Sequence, residues 1–121
     1  MRNIIIVDDS ELFRESLVDI LQSRFSDLQI TELESDAEVF CTLELIQPDL
    51  IFMDVNFSSV NGLEITKHIK NLHPDQQIII LTSFNIPEYK TAAFNCGADH
   101  FLSKETAPED IVSLVRDILY A

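Results

Sequence analysis

Three uninterrupted apolar runs, Ile4-Ile5-Ile6-Val7, Leu50-Ile51-Phe52-Met53 and Ile78-Ile79-Ile80-Leu81, constrain this chain more than any other feature. A strand with one face in water alternates apolar and polar residues. A run that is apolar at every position is buried on both faces, as in the interior of a parallel sheet. Two weaker segments read as edges of the same sheet: Gln29-Ile30-Thr31-Glu32-Leu33, which partly alternates, and the short His100-Phe101-Leu102.

Helical patterns fill the intervals. Over residues 10–25, Phe13, Leu17, Ile20, Leu21 and the aliphatic stem of Arg24 fall on one face. Ser35 to Glu38 reads as a capping box that opens a helix ending before Pro48. A third helix begins near Gly62 and stops before Pro74, and a fourth runs from Pro87 to Gly97. Thr106 to Glu109 reads as a second capping box, and the helix after it reaches about Leu119. The order strand–helix, repeated five times with short connections, predicts a doubly wound α/β fold, a five-stranded parallel sheet with helices on both faces. In such sheets ligands bind beyond the carboxyl ends of the strands.

Length and charge narrow the function. The 121 residues suit one domain, with 46% apolar and 24% charged residues as in a globular chain. Eight Lys and Arg against 21 Asp and Glu leave a net charge of −13, which argues against nucleic acid or an anionic membrane surface as a direct partner of this chain. Cys41 and Cys96 are too far apart in sequence for a zinc pattern and too few for a disulfide framework, and Met1-Arg2-Asn3 leads into only four apolar residues, so neither secretion nor a membrane span is expected. A reducing, cytoplasmic location is the expectation.

The strand ends carry the chemistry. The first strand runs into Asp8-Asp9, the third into Asp54, the fourth into Thr82-Ser83 and the fifth into Ser103-Lys104. In a parallel sheet these meet on one edge. Each has an ordinary reading by itself: acids suit a helix N-terminus, and a lone lysine is commonly a solvated one. Together, three carboxylates repel unless a cation joins them. A hard, oxygen-seeking divalent ion such as Mg²⁺ fits, because it takes one or two carboxylates plus phosphate oxygens.

Ile4–Asp9, Ile51-Phe52-Met53-Asp54, Gly62 eight residues after Asp54, Leu81-Thr82-Ser83, Gly97-Ala98-Asp99 and Phe101-Leu102-Ser103-Lys104 together resemble the receiver domain of two-component response regulators. The resemblance covers essentially the whole chain, 1–121, as one receiver domain. It implies a flavodoxin-like sheet of strand order 2-1-3-4-5. It implies that Asp54 accepts a phosphoryl group, that Asp8, Asp9, Asp54 and the backbone carbonyl of Asn56 hold Mg²⁺, and that Thr82 and Lys104 bind phosphoryl oxygens. Phe101 matches the family's switch aromatic, moving inward as Thr82 moves toward the phosphate. Two prolines common in the family are absent: Ser58 stands four residues after Asp54, and Glu105 follows Lys104. Both raise a question of loop rigidity.

The same resemblance places partners. Leu12 lies off the core face of the first helix and is the expected contact for a sensor histidine kinase or histidine phosphotransfer protein. Phe94 and part of the wide apolar stripe of the last helix, Ile111 to Leu119, are expected to face an output domain, a downstream protein or a second copy on phosphorylation. The output surface comprises the fourth helix, fifth strand and fifth helix. Asn56 and Phe84, two residues after Asp54 and Thr82, are expected to govern attack by water on the phosphorylated form. Packing of Phe84 against the fourth helix near Pro87 is the plainer alternative. The domain is expected to switch by phosphorylation, catalysing its own phosphoryl gain and loss, rather than to turn over a substrate. The wording from Ser103 to Asp110 resembles receivers joined to helix-turn-helix domains, hence the N-terminal part of a transcriptional regulator. The alternatives are a stand-alone receiver and a Mg²⁺-dependent aspartyl phosphohydrolase, against which the adjacency of Asp8 and Asp9 argues. A flavodoxin-like electron carrier is disfavoured because those acids would repel a flavin phosphate.

Overall fold

The computed structural model describes residues 1–55, 61–84 and 86–120. Five strands alternate with five helices: β1 (Arg2–Val7), α1 (Glu11–Arg24), β2 (Leu28–Leu33), α2 (Asp36–Leu45), β3 (Leu50–Asp54), α3 (Gly62–Leu72), β4 (Ile78–Thr82), α4 (Pro87–Asn95), β5 (His100–Ser103) and α5 (Pro108–Tyr120). All pairings are parallel and the strand order is β2-β1-β3-β4-β5, with the two weaker strands at the edges.

The uninterrupted runs divide their side chains between two cores. Ile4 and Ile6 of β1, Leu50 and Phe52 of β3 and Ile79 and Leu81 of β4 point to the layer of α1 and α5. Ile5 and Val7, Ile51 and Met53, and Ile78 and Ile80 point to the layer of α2, α3 and α4. Period-two alternation between two buried faces is why every position must be apolar. The broad stripe of α5 is consumed internally: Ile111, Val112 and Val115 are buried, and Leu114, Ile118 and Leu119 pack on the same cluster as Leu17, Leu21 and Phe25.

Two local expectations are corrected. Arg24 does not join the core face. As the last residue of α1 it is exposed and pairs with Glu109 of α5, while Phe25, the C-cap, fills the core. Thr106 is not the cap of α5. Pro108 opens that helix, Thr106 donates instead to the Ser103 carbonyl at 2.7 Å, and Glu109 is engaged by Arg24. A proline needs no donor at the first helical position, so the helix starts one residue later than a Thr-led box would. At α2 the cap is Ser35 as expected, but Glu38 answers it side chain to side chain. Ser35 Oγ accepts the Glu38 N–H at 3.3 Å and donates to Glu38 Oε1 at 2.9 Å.

Two glycines are demanded by geometry. Gly97 closes α4 with φ of +98°, a conformation that strains other residues. Gly62 opens α3 against the main chain of Asp54, where a Cβ would collide with the Asp54 carbonyl. Asp99 then ties β5 to β4, accepting the Ile78 N–H at 2.9 Å and the Lys70 ammonium at 3.2 Å.

Candidate functional site at the carboxyl edge of the sheet

Parallel pairing brings the strand ends together. Asp54 is the last residue of β3 and lies opposite Leu81, while Thr82, the last of β4, lies opposite Ser103. The Lys104 N–H donates to the Thr82 carbonyl at 2.8 Å, which extends the ladder by one residue and places the lysine beside the acids. Carboxylate oxygens of Asp8, Asp9 and Asp54 lie within 4.8 Å of one another. Asp8 and Asp54 are buried and Asp9 is exposed.

Among the described residues, the Lys104 ammonium faces two of these acids. Lys104 Nζ lies 2.7 Å from Asp8 Oδ2 and 3.5 Å from Asp54 Oδ2. The contact to Asp8 Oδ2 is an ion pair and not a directed hydrogen bond, since that oxygen has no aligned donor among the described residues. Asp8 Oδ1 accepts the Ser10 N–H at 2.8 Å. The lysine also stands 4.8 Å from the centre of the Phe13 ring, an arrangement that favours a cation. Three carboxylates facing one ammonium leave an excess of two negative charges, and the all-oxygen donor set, one acid open to solvent, suits a divalent hard cation.

The Thr82 hydroxyl is buried and turned to its own chain. It accepts the Phe84 N–H at 2.9 Å and donates to the Phe84 carbonyl at 3.0 Å. Phe84 is 57% exposed. Phe101 is half-buried on β5 against the α2–α4 core. Leu12 is 80% and Phe94 45% exposed, both clear of the cores. Asn56 and Ser58 lie outside the described residues. At the other departure from the family pattern, the Glu105 N–H donates to Ser103 Oγ at 3.0 Å, a bond that proline could not make, so the loop gains a tie there.

Sequence reasoning missed Arg14. Its guanidinium is buried behind the acids, with Nη1 donating to the Asp8 carbonyl at 2.6 Å, Nε to Glu32 at 3.1 Å and Nη2 to Glu34 at 2.7 Å. Burial disfavours the charged form, but the hydrogen bonds and charges of Glu32 and Glu34 outweigh it and hold Arg14 above the ordinary arginine value. The available signal was its spacing: Arg14, Leu17 and Leu21 fall on one helical face.

A cavity of about 220 Å³ between α1 and α5 reaches Lys104 past Phe13 and Pro108. A larger one of about 410 Å³, beside Pro48 and Pro74, lies at the opposite end of the strands, remote from the acids. No helix among the described residues is long and apolar enough to cross a membrane.

Comparison with known proteins agrees with this geometry. The response regulator receiver domain profile matches residues 4–116. The chain is 30% identical to the transcriptional regulatory protein DegU of Brevibacillus brevis over 93% of its own length and 48% of that protein's, so it spans about half of such relatives. It is 30% identical to the chemotaxis protein CheY of Halobacterium salinarum over 99% of this chain and 98% of that one. Among solved structures, the response regulator TrrA of Thermotoga maritima, in complex with Mg²⁺ and BeF, superposes with a TM-score of 0.86 at 26% identity, covering 98% of this chain and 100% of that one. The parallel sheet, the acid cluster at its carboxyl edge and the match over nearly the whole chain have one explanation: this chain belongs to the response regulator receiver domain family.

Proposed function

We propose that the chain, as one receiver domain over residues 1–121, takes a phosphoryl group onto Asp54 from a phosphohistidine and uses it to reset the face around α4, β5 and α5. The observation that carries this reading is the meeting of the Asp8, Asp9 and Asp54 carboxylates within 4.8 Å beside the Lys104 ammonium. Asp8, Asp9 and Asp54 would hold Mg²⁺, joined by the carbonyl of Asn56. The ion would neutralise and orient the phosphoryl oxygens. TrrA, solved with Mg²⁺ and BeF, supports that choice of metal.

The chain's own residues supply the rest. An Asp54 carboxylate oxygen attacks phosphorus, the P–N bond to the donor imidazole breaks, and its electron pair stays on the imidazole. Such a transfer requires positioning and charge neutralisation more than covalent machinery. Lys104, now on Asp8, turns its ammonium to a phosphoryl oxygen. The Thr82 hydroxyl exchanges the Phe84 carbonyl for another phosphoryl oxygen, freeing the Phe84 main chain and giving Phe101 room to shift inward. A phosphate adds about 1.5 to 2 negative charges, enough to bias a two-state face. Self-catalysed phosphoryl gain and loss follow from the same residues.

Leu12, 80% exposed on α1, is the proposed contact for the kinase or phosphotransfer protein. Phe94 on α4 is the proposed contact for an output domain, a downstream protein or a second copy. DegU-like relatives of about twice the length support a receiver that precedes a transcriptional output. The end-to-end match to CheY favours the alternative of a stand-alone receiver.

Intact-mass measurement after incubation with acetyl phosphate and Mg²⁺ tests the reading. The wild type should gain one phosphoryl group and Asp54→Asn none. An adduct retained in Asp54→Asn, or no adduct on the wild type, refutes it.

A further inference from the structure

Arg14 is an arginine that is 5% exposed in a layer otherwise built of Leu17, Leu21 and Phe25. An apolar residue would pack there at less cost, because a buried charge must be fully partnered. Its partners are unusual in one respect. Two are the carboxylates of Glu32 and Glu34 at the end of β2, and the third is the main-chain carbonyl of Asp8 at 2.6 Å. That carbonyl shares one rigid peptide plane with the Asp9 N–H, so holding it fixes where Asp9 leaves the turn.

Asp9 needs that help. The Asp8 side chain is held by Ser10 and Lys104, whereas no hydrogen bond or ion pair holds the Asp9 carboxylate among the described residues. Its aim at the cluster therefore depends on its backbone. A guanidinium so close to a cation site would oppose a second cation unless neutralised, and Glu32 and Glu34 lie on it, so the unit carries one negative charge overall.

We propose that Arg14 is a positioning residue for the metal site, clamping the Asp8–Asp9 peptide so that the Asp9 carboxylate meets a divalent cation, while Glu32 and Glu34 outweigh its charge. This rests on the cation-binding reading given above. Partners behind metal ligands typically govern affinity about 10–100-fold.

The test titrates Mg²⁺ alone into the whole chain and separately follows amide hydrogen exchange without metal. Arg14→Met should weaken Mg²⁺ binding about tenfold or more and speed exchange at the Asp9 and Ser10 amides. Arg14→Lys, which can reach the Asp8 carbonyl but not all three partners, should lie between Arg14→Met and wild type. Glu34→Gln, at an exposed side chain that keeps a hydrogen-bond acceptor for Arg14, should weaken Mg²⁺ binding by roughly two- to threefold, more at low salt, because the net negative charge of the unit is gone. Leu17→Ala, a core truncation on the same helix, should lower the melting temperature while leaving Mg²⁺ affinity within about twofold. Wild-type affinity in Arg14→Met and Glu34→Gln, or an equal loss in Leu17→Ala, overturns the proposal and leaves the cation site standing. Absence of Mg²⁺ binding by the wild type overturns the cation site itself, and the proposal with it.

Discussion

Lys104 Nζ sits 2.7 Å from a carboxylate oxygen of Asp8 that is fully buried, and only 3.5 Å from Asp54. The ammonium is thus the one cation that the described residues place on two of the three clustered acids. Removing one partner of a buried pair leaves the other charge uncompensated, at a cost of about 3–5 kcal/mol. Lys104→Met should therefore lower metal-free stability by about 3 kcal/mol in urea unfolding. Mg²⁺ should narrow the gap to wild type by supplying the missing positive charge. A gap of constant size at every Mg²⁺ concentration would mean that lysine and metal do not share the acids.

Asp9 has the opposite balance. It adds a third negative charge without a partner of its own among the described residues. Asp9→Asn should raise the metal-free melting temperature by about 4 °C, as relief of about 1 kcal/mol of repulsion would. It should also abolish the stabilisation by Mg²⁺, about 2.7 kcal/mol at a hundred times the wild-type Kd. Differential scanning calorimetry with and without Mg²⁺ reads both, and a variant still stabilised by the metal would remove Asp9 from the ligand set.

Gly62→Ala sets two effects against each other. Alanine is the better helix former by about 1 kcal/mol. Its Cβ, however, would collide with the Asp54 main-chain oxygen, which cannot yield without moving the proposed acceptor residue. Overpacking of this kind costs about 1–3 kcal/mol, so the net change should be destabilising. Phosphoryl uptake from acetyl phosphate should slow as Asp54 shifts. A stabilised variant with unchanged uptake would show that the turn relaxes freely.

The C-terminal turn of α5 predicts an acid-sensitive contact. Tyr120 stacks on Phe25, Arg2 lies 4.1 Å from the Tyr120 ring centre and donates to the Leu119 carbonyl, and Asp27 receives both Tyr120 and Arg2. The Tyr120 hydroxyl above all, then Arg2, hold the Asp27 carboxyl below its ordinary value of 3.8 against the opposing effect of burial. A lowered folded value means that the contribution is whole above about pH 3.8 and is lost as the pH falls through the folded value. Asp27→Asn should thus lose stability near neutrality, and its difference from wild type should shrink on acidification. A difference independent of pH between 2 and 6, by thermal melts, would exclude the linkage (~4 units spans the transition).

Phe84 is proposed to bear on the lifetime of an acyl phosphate at Asp54. Its ring is exposed beside the Thr82 hydroxyl and carries no donor or acceptor to orient a water. Phe84→Glu should therefore lose its phosphoryl group faster than wild type, followed on a phosphate-affinity gel at fixed Mg²⁺. Equal or slower decay would show that the ring does not gate the water.

What could be read in the sequence follows burial. β1, β3 and β4 were legible because both of their faces are covered, and the edge positions of β2 and β5 followed from their weaker patterns. The acids were legible because parallel strands must end together. Arg14 was not, since a charged residue on a helix reads as a solvent-facing one, and its acidic partners lie 18 and 20 residues away on another element. Arg24 fitted the apolar face by angle alone; the choice between the core and Glu109 was made by α5, 85 residues away. The start of α5 turned on Pro108, whose missing N–H outweighed the Thr106 pattern.

The Thr82 hydroxyl has one proton to donate, and in this structure the Phe84 carbonyl takes it. On the proposed function that hydroxyl chooses between a loop carbonyl and a phosphoryl oxygen, so the two arrangements would be mutually exclusive, and exclusivity has a thermodynamic corollary. Whatever factor the phosphoryl group contributes to the affinity of a protein that grips the released loop, that protein returns to the equilibrium constant of phosphorylation. Such a target would not merely read the modified domain; by binding, it would raise the fraction that carries the modification.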